Sequence, residues 1–188
     1  PLARPRDLVV GAVMLGVALL PCGVPQIPAT ETDYEIGVDL EQAGRPADAL
    51  AFFARAIAND PENADLQLMY GLAMARGGDD ETSRKHLERA TELEPRAALA
   101  WQALGMIARR EGRRDEALVL LENAAGADPC DRRILASYAE MLMDSGYYKK
   151  AGEVLREARR VYPRRDRILD QTEQRLEQLR ARYGLKSK

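Results

Sequence analysis

Residues 98–131 read ALAWQALGMIARREGRRDEALVLLENAAGADPCD. Apolar residues recur at steps of three and four on both sides of Gly112, and Pro129 follows the second run. That is the pattern of two helices joined by a glycine turn and closed by a proline. The same punctuation recurs along the chain: proline at Pro61, Pro95, Pro129 and Pro163, glycine at Gly44, Gly78, Gly112 and Gly146, and alanine at Ala56, Ala90, Ala124 and Ala158. Each series has a spacing of 34 residues. Three series in one register make each period a helix-turn-helix hairpin.

The composition agrees. The chain has 188 residues, 46% of them apolar but only 5% aromatic, and 31% charged. Ala, Leu, Arg and Glu dominate while β-branched residues are sparse, which predicts an all-α chain. The length fits one domain or a short array with enough apolar residues to bury a core. A formal net charge of −2 argues against a general nucleic-acid binder. Cys22 and Cys130 are too few for a disulfide scaffold, and neither sits in a CxxC pair, so no structural metal is expected.

In these residues the units resemble tetratricopeptide (TPR) repeats, placed at 30–63, 64–97, 98–131 and 132–165. The third matches best, with Trp101, Leu104, Gly105, Ala117, Leu121, Ala124 and Pro129 in the signature places. The departures are mild: Ser83 stands where an Ala is usual, Ala139 where a Gly is, and the early aromatic appears only as Trp101. The signature also has a physical reading. Small residues at Gly37, Gly71, Gly105 and Ala139 on the first helices, and at Ala49, Ser83, Ala117 and Ala151 on the second, let the two helices of a hairpin approach. Phe53, Leu87, Leu121 and Leu155 then fill the space between one hairpin and the next. The resemblance implies a right-handed solenoid of four hairpins with a terminal cap.

That cap is read at 166–184, before a tail at 185–188. Ile168, Leu169, Thr172, Leu176, Leu179 and Tyr183 form a stripe at helical spacing, and Gly184 stops it. The stripe would cover the apolar face that a last hairpin leaves open. The N-terminal 1–29 segment is different in kind. Arg4 and Arg6 precede the uncharged run Leu8 to Leu20, which is followed by Pro21, Cys22, Pro25 and Pro28. Thirteen helical residues span roughly 20 Å, short of the roughly 30 Å hydrocarbon core, so the run reads as an export signal or short anchor with a Pro-rich linker. LLPC resembles the lipobox of bacterial lipoproteins and makes Cys22 a candidate for lipidation, although Pro21 departs from the small residue usual there.

Charge divides the chain: residues 23–97 carry 7 basic and 15 acidic side chains, residues 98–188 carry 19 and 14. The most basic stretch, Arg156 to Arg167, reads as a solvated helix end, or else as a surface for an acidic partner or an anionic membrane. No catalytic pattern is present: there is no phosphate loop, nucleophile elbow or HExxH, and Asp79 with Asp80 reads as a turn and helix cap. The single His86 is expected on the wet, outer face. An enzyme, a cofactor and a small-molecule substrate are therefore not expected.

What the resemblance implies about binding is a concave groove lined by the first helices. Carried over position by position, it comprises Tyr34, Val38 and Glu41; Leu68, Leu72 and Arg76; Gln102, Met106 and Arg109; and Ala136, Glu140 and Met143. Tyr34 and Val38 replace the Lys and Asn with which some TPR proteins clamp a chaperone's C-terminal carboxylate, so that partner class is disfavoured. A groove apolar along its middle and charged at its edges suits a partner protein's helix or extended peptide, with Met106 and Met143 as adaptable contacts. The layout is similar to that of small bacterial envelope TPR lipoproteins of pilus and secretion assembly. It implies a non-enzymatic scaffold in the periplasm or tethered to the membrane, or alternatively a membrane-anchored accessory subunit of a larger complex.

Overall fold

The three residue series meet in the backbone. Gly44, Gly78, Gly112 and Gly146 all have φ between 73° and 85°, a left-handed conformation that costs other residues a steric clash with their own Cβ. Beyond each glycine the chain closes in the same way: the N–H of Arg45, Asp79, Arg113 and Tyr147 donates to the carbonyl of Leu40, Met74, Ala108 and Leu142, at 2.8–3.1 Å. This is the Schellman closure of a helix, repeated at four turns. At the other end of each hairpin the N–H of Asp60, Glu94, Asp128 and Tyr162 donates to the carbonyl of Ala56, Ala90, Ala124 and Ala158. The following proline then forces that residue out of the helical region, at φ −117° to −139° and ψ 73° to 92°.

The computed structural model describes residues 29–185. Within them the chain is all helix, with nine helices and no strand, as the sequence predicts. They are α1 (Ala29–Gln42), α2 (Pro46–Asn59), α3 (Ala64–Gly77), α4 (Asp80–Leu93), α5 (Ala98–Arg110), α6 (Arg114–Ala127), α7 (Arg132–Asp144), α8 (Tyr148–Val161) and α9 (Arg167–Tyr183). Pairs α1/α2, α3/α4, α5/α6 and α7/α8 form hairpins, and each hairpin packs on the next through α2/α3, α4/α5 and α6/α7. The run Leu8–Leu20 and Cys22 lie outside the described residues. Among the described residues no helix is long and apolar enough to cross a membrane.

Within a hairpin the glycines work by contact. A Cβ on Gly71 would lie 2.8 Å from Leu87 Cγ, and one on Gly105 2.7 Å from Leu121 Cγ. Ser83 keeps its place because its hydroxyl donates to the Gly71 carbonyl at 2.7 Å in the buried interior. Phe53, Leu87 and Leu121 are fully buried and Leu155 nearly so.

The last helix takes the place of a further first helix. Asp166 accepts from the N–H of Ile168 and Leu169, as Asp131 does from Arg133 and Ile134 at the start of α7. α9 packs on both α7 and α8, burying Thr172 and placing Leu169 and Leu176 in one cluster with Leu142, Met143 and Leu155, while Tyr183 stays 55% exposed.

Candidate functional site

The face formed by α1, α3, α5 and α7 brings the groove residues together, and their environments differ. Tyr34 and Val38 are half-buried and pack with Phe53 and Ala73, the Tyr34 and Phe53 ring centroids being 6.2 Å apart. Burial, and then the Asp65 carboxylate, push the Tyr34 phenol above its ordinary pKa, so it stays a neutral hydrogen-bond donor. Leu68 and Leu72 are half-buried against Leu104 and Ile107 of the next hairpin. Met106 is 37% exposed, and Leu99, earlier on the same helix, is 40% exposed.

The two members of the set on α7 nearest its ends are not available. Ala136 is 4% exposed and Met143 2%. Met143 belongs to the cluster with Leu169 and Leu176, because α9 packs on α7. The expectation of adaptable methionine contacts is corrected for Met143, whose thioether is core, and Ala136 is corrected with it; Met106 remains open to such a contact.

The polar members pair across helices. Glu41 pairs with Arg76, and Gln102 Nε2 donates to Ser137 Oγ at 3.0 Å. Arg109 bridges Glu140 at 3.2 Å and Asp144 at 2.6 Å, and Arg175 of α9 binds the same Asp144 from the other side at 2.7 Å. Where the sequence reading places edge charges, Arg109 and Glu140 are thus tied into a network that ends on α9, and Glu41 and Arg76 form a pair of their own. Ser137, Asp144 and Arg175 are the members that reading misses. A signal for Ser137 and Asp144 exists: Glu41 to Arg76, Gln102 to Ser137, and Arg109 to Asp144 each span 35 residues, one period plus one. At the start of the face a cavity of about 590 Å³ lies among Val38, Glu41, Met69 and Arg76. Glu41 Oε1 is buried beside it without a hydrogen-bond partner among the described residues.

His86 departs from expectation. It is half-buried, its ring edge-on to Tyr70 with centroids 4.6 Å apart, and its Nδ1 lies 2.7 Å from Oε1 of the buried Gln67. Gln67 Nε2 donates to the Pro61 carbonyl at 2.8 Å, which leaves Oε1 as acceptor, so Nδ1 carries a hydrogen. Burial, reinforced by Lys85, holds the imidazole pKa below its ordinary value. Asp79 caps α4 by accepting from the Thr82 N–H, and that bond lowers its pKa. Among the described residues no three His, Cys, Asp or Glu side chains are placed to hold a metal ion.

Comparison with known proteins agrees with this architecture. A family model described as tetratricopeptide repeat matches residues 40–107 and 108–183. No curated protein matches the chain in sequence. Among solved structures, MamA 41-end from Desulfovibrio magneticus RS-1 superposes with a TM-score of 0.71 at 18% identity, covering 85% of this chain and 88% of that one. A MamA RS-1 double mutant gives 0.70 at 19%, covering 84% and 86%. A crystal structure of MamA gives 0.65 at 22%, covering 71% and 78%. At these identities the likeness concerns the fold.

Proposed function

Because the chain belongs to the tetratricopeptide-repeat family, whose fold is that of a protein-interaction scaffold, we propose that it is a non-enzymatic scaffold holding a helix or extended peptide of a partner protein on the face of α1, α3, α5 and α7. The observation that carries this reading is Met106. It is exposed at the middle of that face, between half-buried Leu72 and a set of charges already paired with one another. A flexible thioether in such a setting accepts apolar side chains of varied shape. Since Ala136 and Met143 are buried, the working part of this face is that of α1, α3 and α5, in the first three repeats, 30–131.

The same reading places the protein at a bacterial envelope, assisting assembly of a pilus or secretion complex, with 1–29 as an export or anchor segment and Cys22 as the candidate lipid site. Its support is the basic flank and apolar run of the sequence. The test is affinity capture from the host's own membranes, with Met106→Glu and, outside the groove, Val119→Glu as paired variants; Val119 is 57% exposed. Met106→Glu should lower partner affinity at least about tenfold, roughly 1.4 kcal/mol, with Val119→Glu unchanged. Equal retention by both would remove the groove from the account. Mass spectra of the same material read the N-terminus: a chain beginning near Cys22 supports export, and an intact one from the cytosol refutes it.

A further inference from the structure

Where α8 begins and α9 ends, the surface folds into a cleft of about 820 Å³. Its lining carries Lys149, Lys150, Arg156 and Arg180 against one acid, Glu153, together with Tyr147, Tyr148 and Leu185. Tyr147 is 55% and Leu185 42% exposed. Tyr148 is stacked on Tyr183, with ring centroids 5.7 Å apart. The cations are of two kinds. Lys150 is held by Glu122 and Arg180 by Glu177, at 2.8 and 2.7 Å. Lys149 and Arg156 make no ion pair among the described residues.

The placement of Arg180 is built into the sequence of α8. Its side chain is only 14% exposed and crosses α8 at Gly152, where any Cβ would collide with the guanidinium. One period back at each step the same position holds Leu118, Arg84 and Leu50. The glycine therefore belongs to the last hairpin alone, and the Arg180 guanidinium occupies the space beside it in the lining of the cleft.

We propose that this cleft is a second docking site, separate from the groove, for an acidic segment of a partner protein that carries an aromatic or aliphatic side chain. The unpaired Lys149 and Arg156 meet carboxylates, and the open faces of Tyr147 and Leu185 receive the apolar side chain. Concavity selects a peptide over a membrane: a lipid surface is broad and cannot enter a recess between two helix ends, whereas one inserted side chain fills it.

The test uses the whole chain and a fluorescein-labelled peptide, Asp-Glu-Asp-Phe-Asp-Glu, with binding followed by fluorescence anisotropy. Arg156→Glu should weaken binding at least about tenfold. Arg164→Glu, an equal change of charge on an exposed arginine outside the cleft, should stay within about twofold. Replacing the peptide's Phe by Ala should also weaken binding, and Met106→Glu should leave it unchanged, which separates this site from the groove. No binding of the peptide overturns the proposal, as does equal loss from Arg156→Glu and Arg164→Glu, which would mean unspecific attraction. Binding of phosphatidylserine vesicles but not of the peptide would overturn it in favour of a membrane surface.

Discussion

At the scale of single residues, the glycines divide by what surrounds them. Gly105 lies in α5 with a Cβ position 2.7 Å from Leu121 Cγ, whereas Gly126, in α6, has nothing within 4 Å of such an atom. Helix propensity favours alanine at both, by about 1 kcal/mol, but at Gly105 overpacking costs about 1–3 kcal/mol. Denaturant titration should therefore show Gly105→Ala destabilised and Gly126→Ala unchanged or more stable; the opposite order would mean that helix approach does not depend on the glycine. His86 gives a prediction in pH. Its folded pKa is lowered from 6.5, so the folded state resists the proton that the unfolded chain takes up. That contribution to stability is complete above about pH 6.5 and is lost as pH falls through the folded pKa. It is the chain's single histidine, so the unfolding midpoint should drop between about pH 7.5 and 5.5 in wild type and less in His86→Gln. Equal slopes would show the ring to be freely solvated. The signature positions were legible in the sequence because each answers a local need. The setting of His86 was not, because Tyr70 and Gln67, which surround it, come from the other helix of the hairpin.

At the scale of elements, α9 is the piece on which both the core and the groove depend. The amphipathic stripe was readable from Ile168 to Leu179, since helical spacing alone sorts apolar from charged positions. Its docking adds what spacing omits: Leu176 is 2% exposed and packs in the cluster that contains Leu155 and Met143. Leu176→Ala should cost about 2–5 kcal/mol, seen as a lower unfolding midpoint. Removing residues 167–188 should in addition expose Met143 and Leu155 and promote aggregation. A truncated chain that stays monomeric and melts as wild type does would show that α9 is not a cap. The Arg175 bridge to Asp144 also ties the end of the groove to this helix, so its loss should loosen the charge network around Arg109.

At the scale of the molecule, a solenoid hairpin touches only its neighbours, which is why so much of the architecture follows from periodicity. The 34-residue recurrence of glycine, alanine and proline by itself determined the hairpins, their order, the turn geometry and the buried Phe53, Leu87, Leu121 and Leu155, because each of these is set within one hairpin or between adjacent ones. Which side of the array was apolar followed from helical spacing. Which of those side chains a partner can reach did not. Only the tertiary structure decided that Met106 is open while Ala136 and Met143 are closed, that Arg109 is shared between Glu140 and Asp144, and that Arg180 lies across Gly152. The reason is physical. These outcomes depend on how the one non-periodic helix, α9, seats against α7 and α8, bringing Arg175 to Asp144 and Arg180 to Gly152, contacts that neither helical spacing nor the repeat itself dictates.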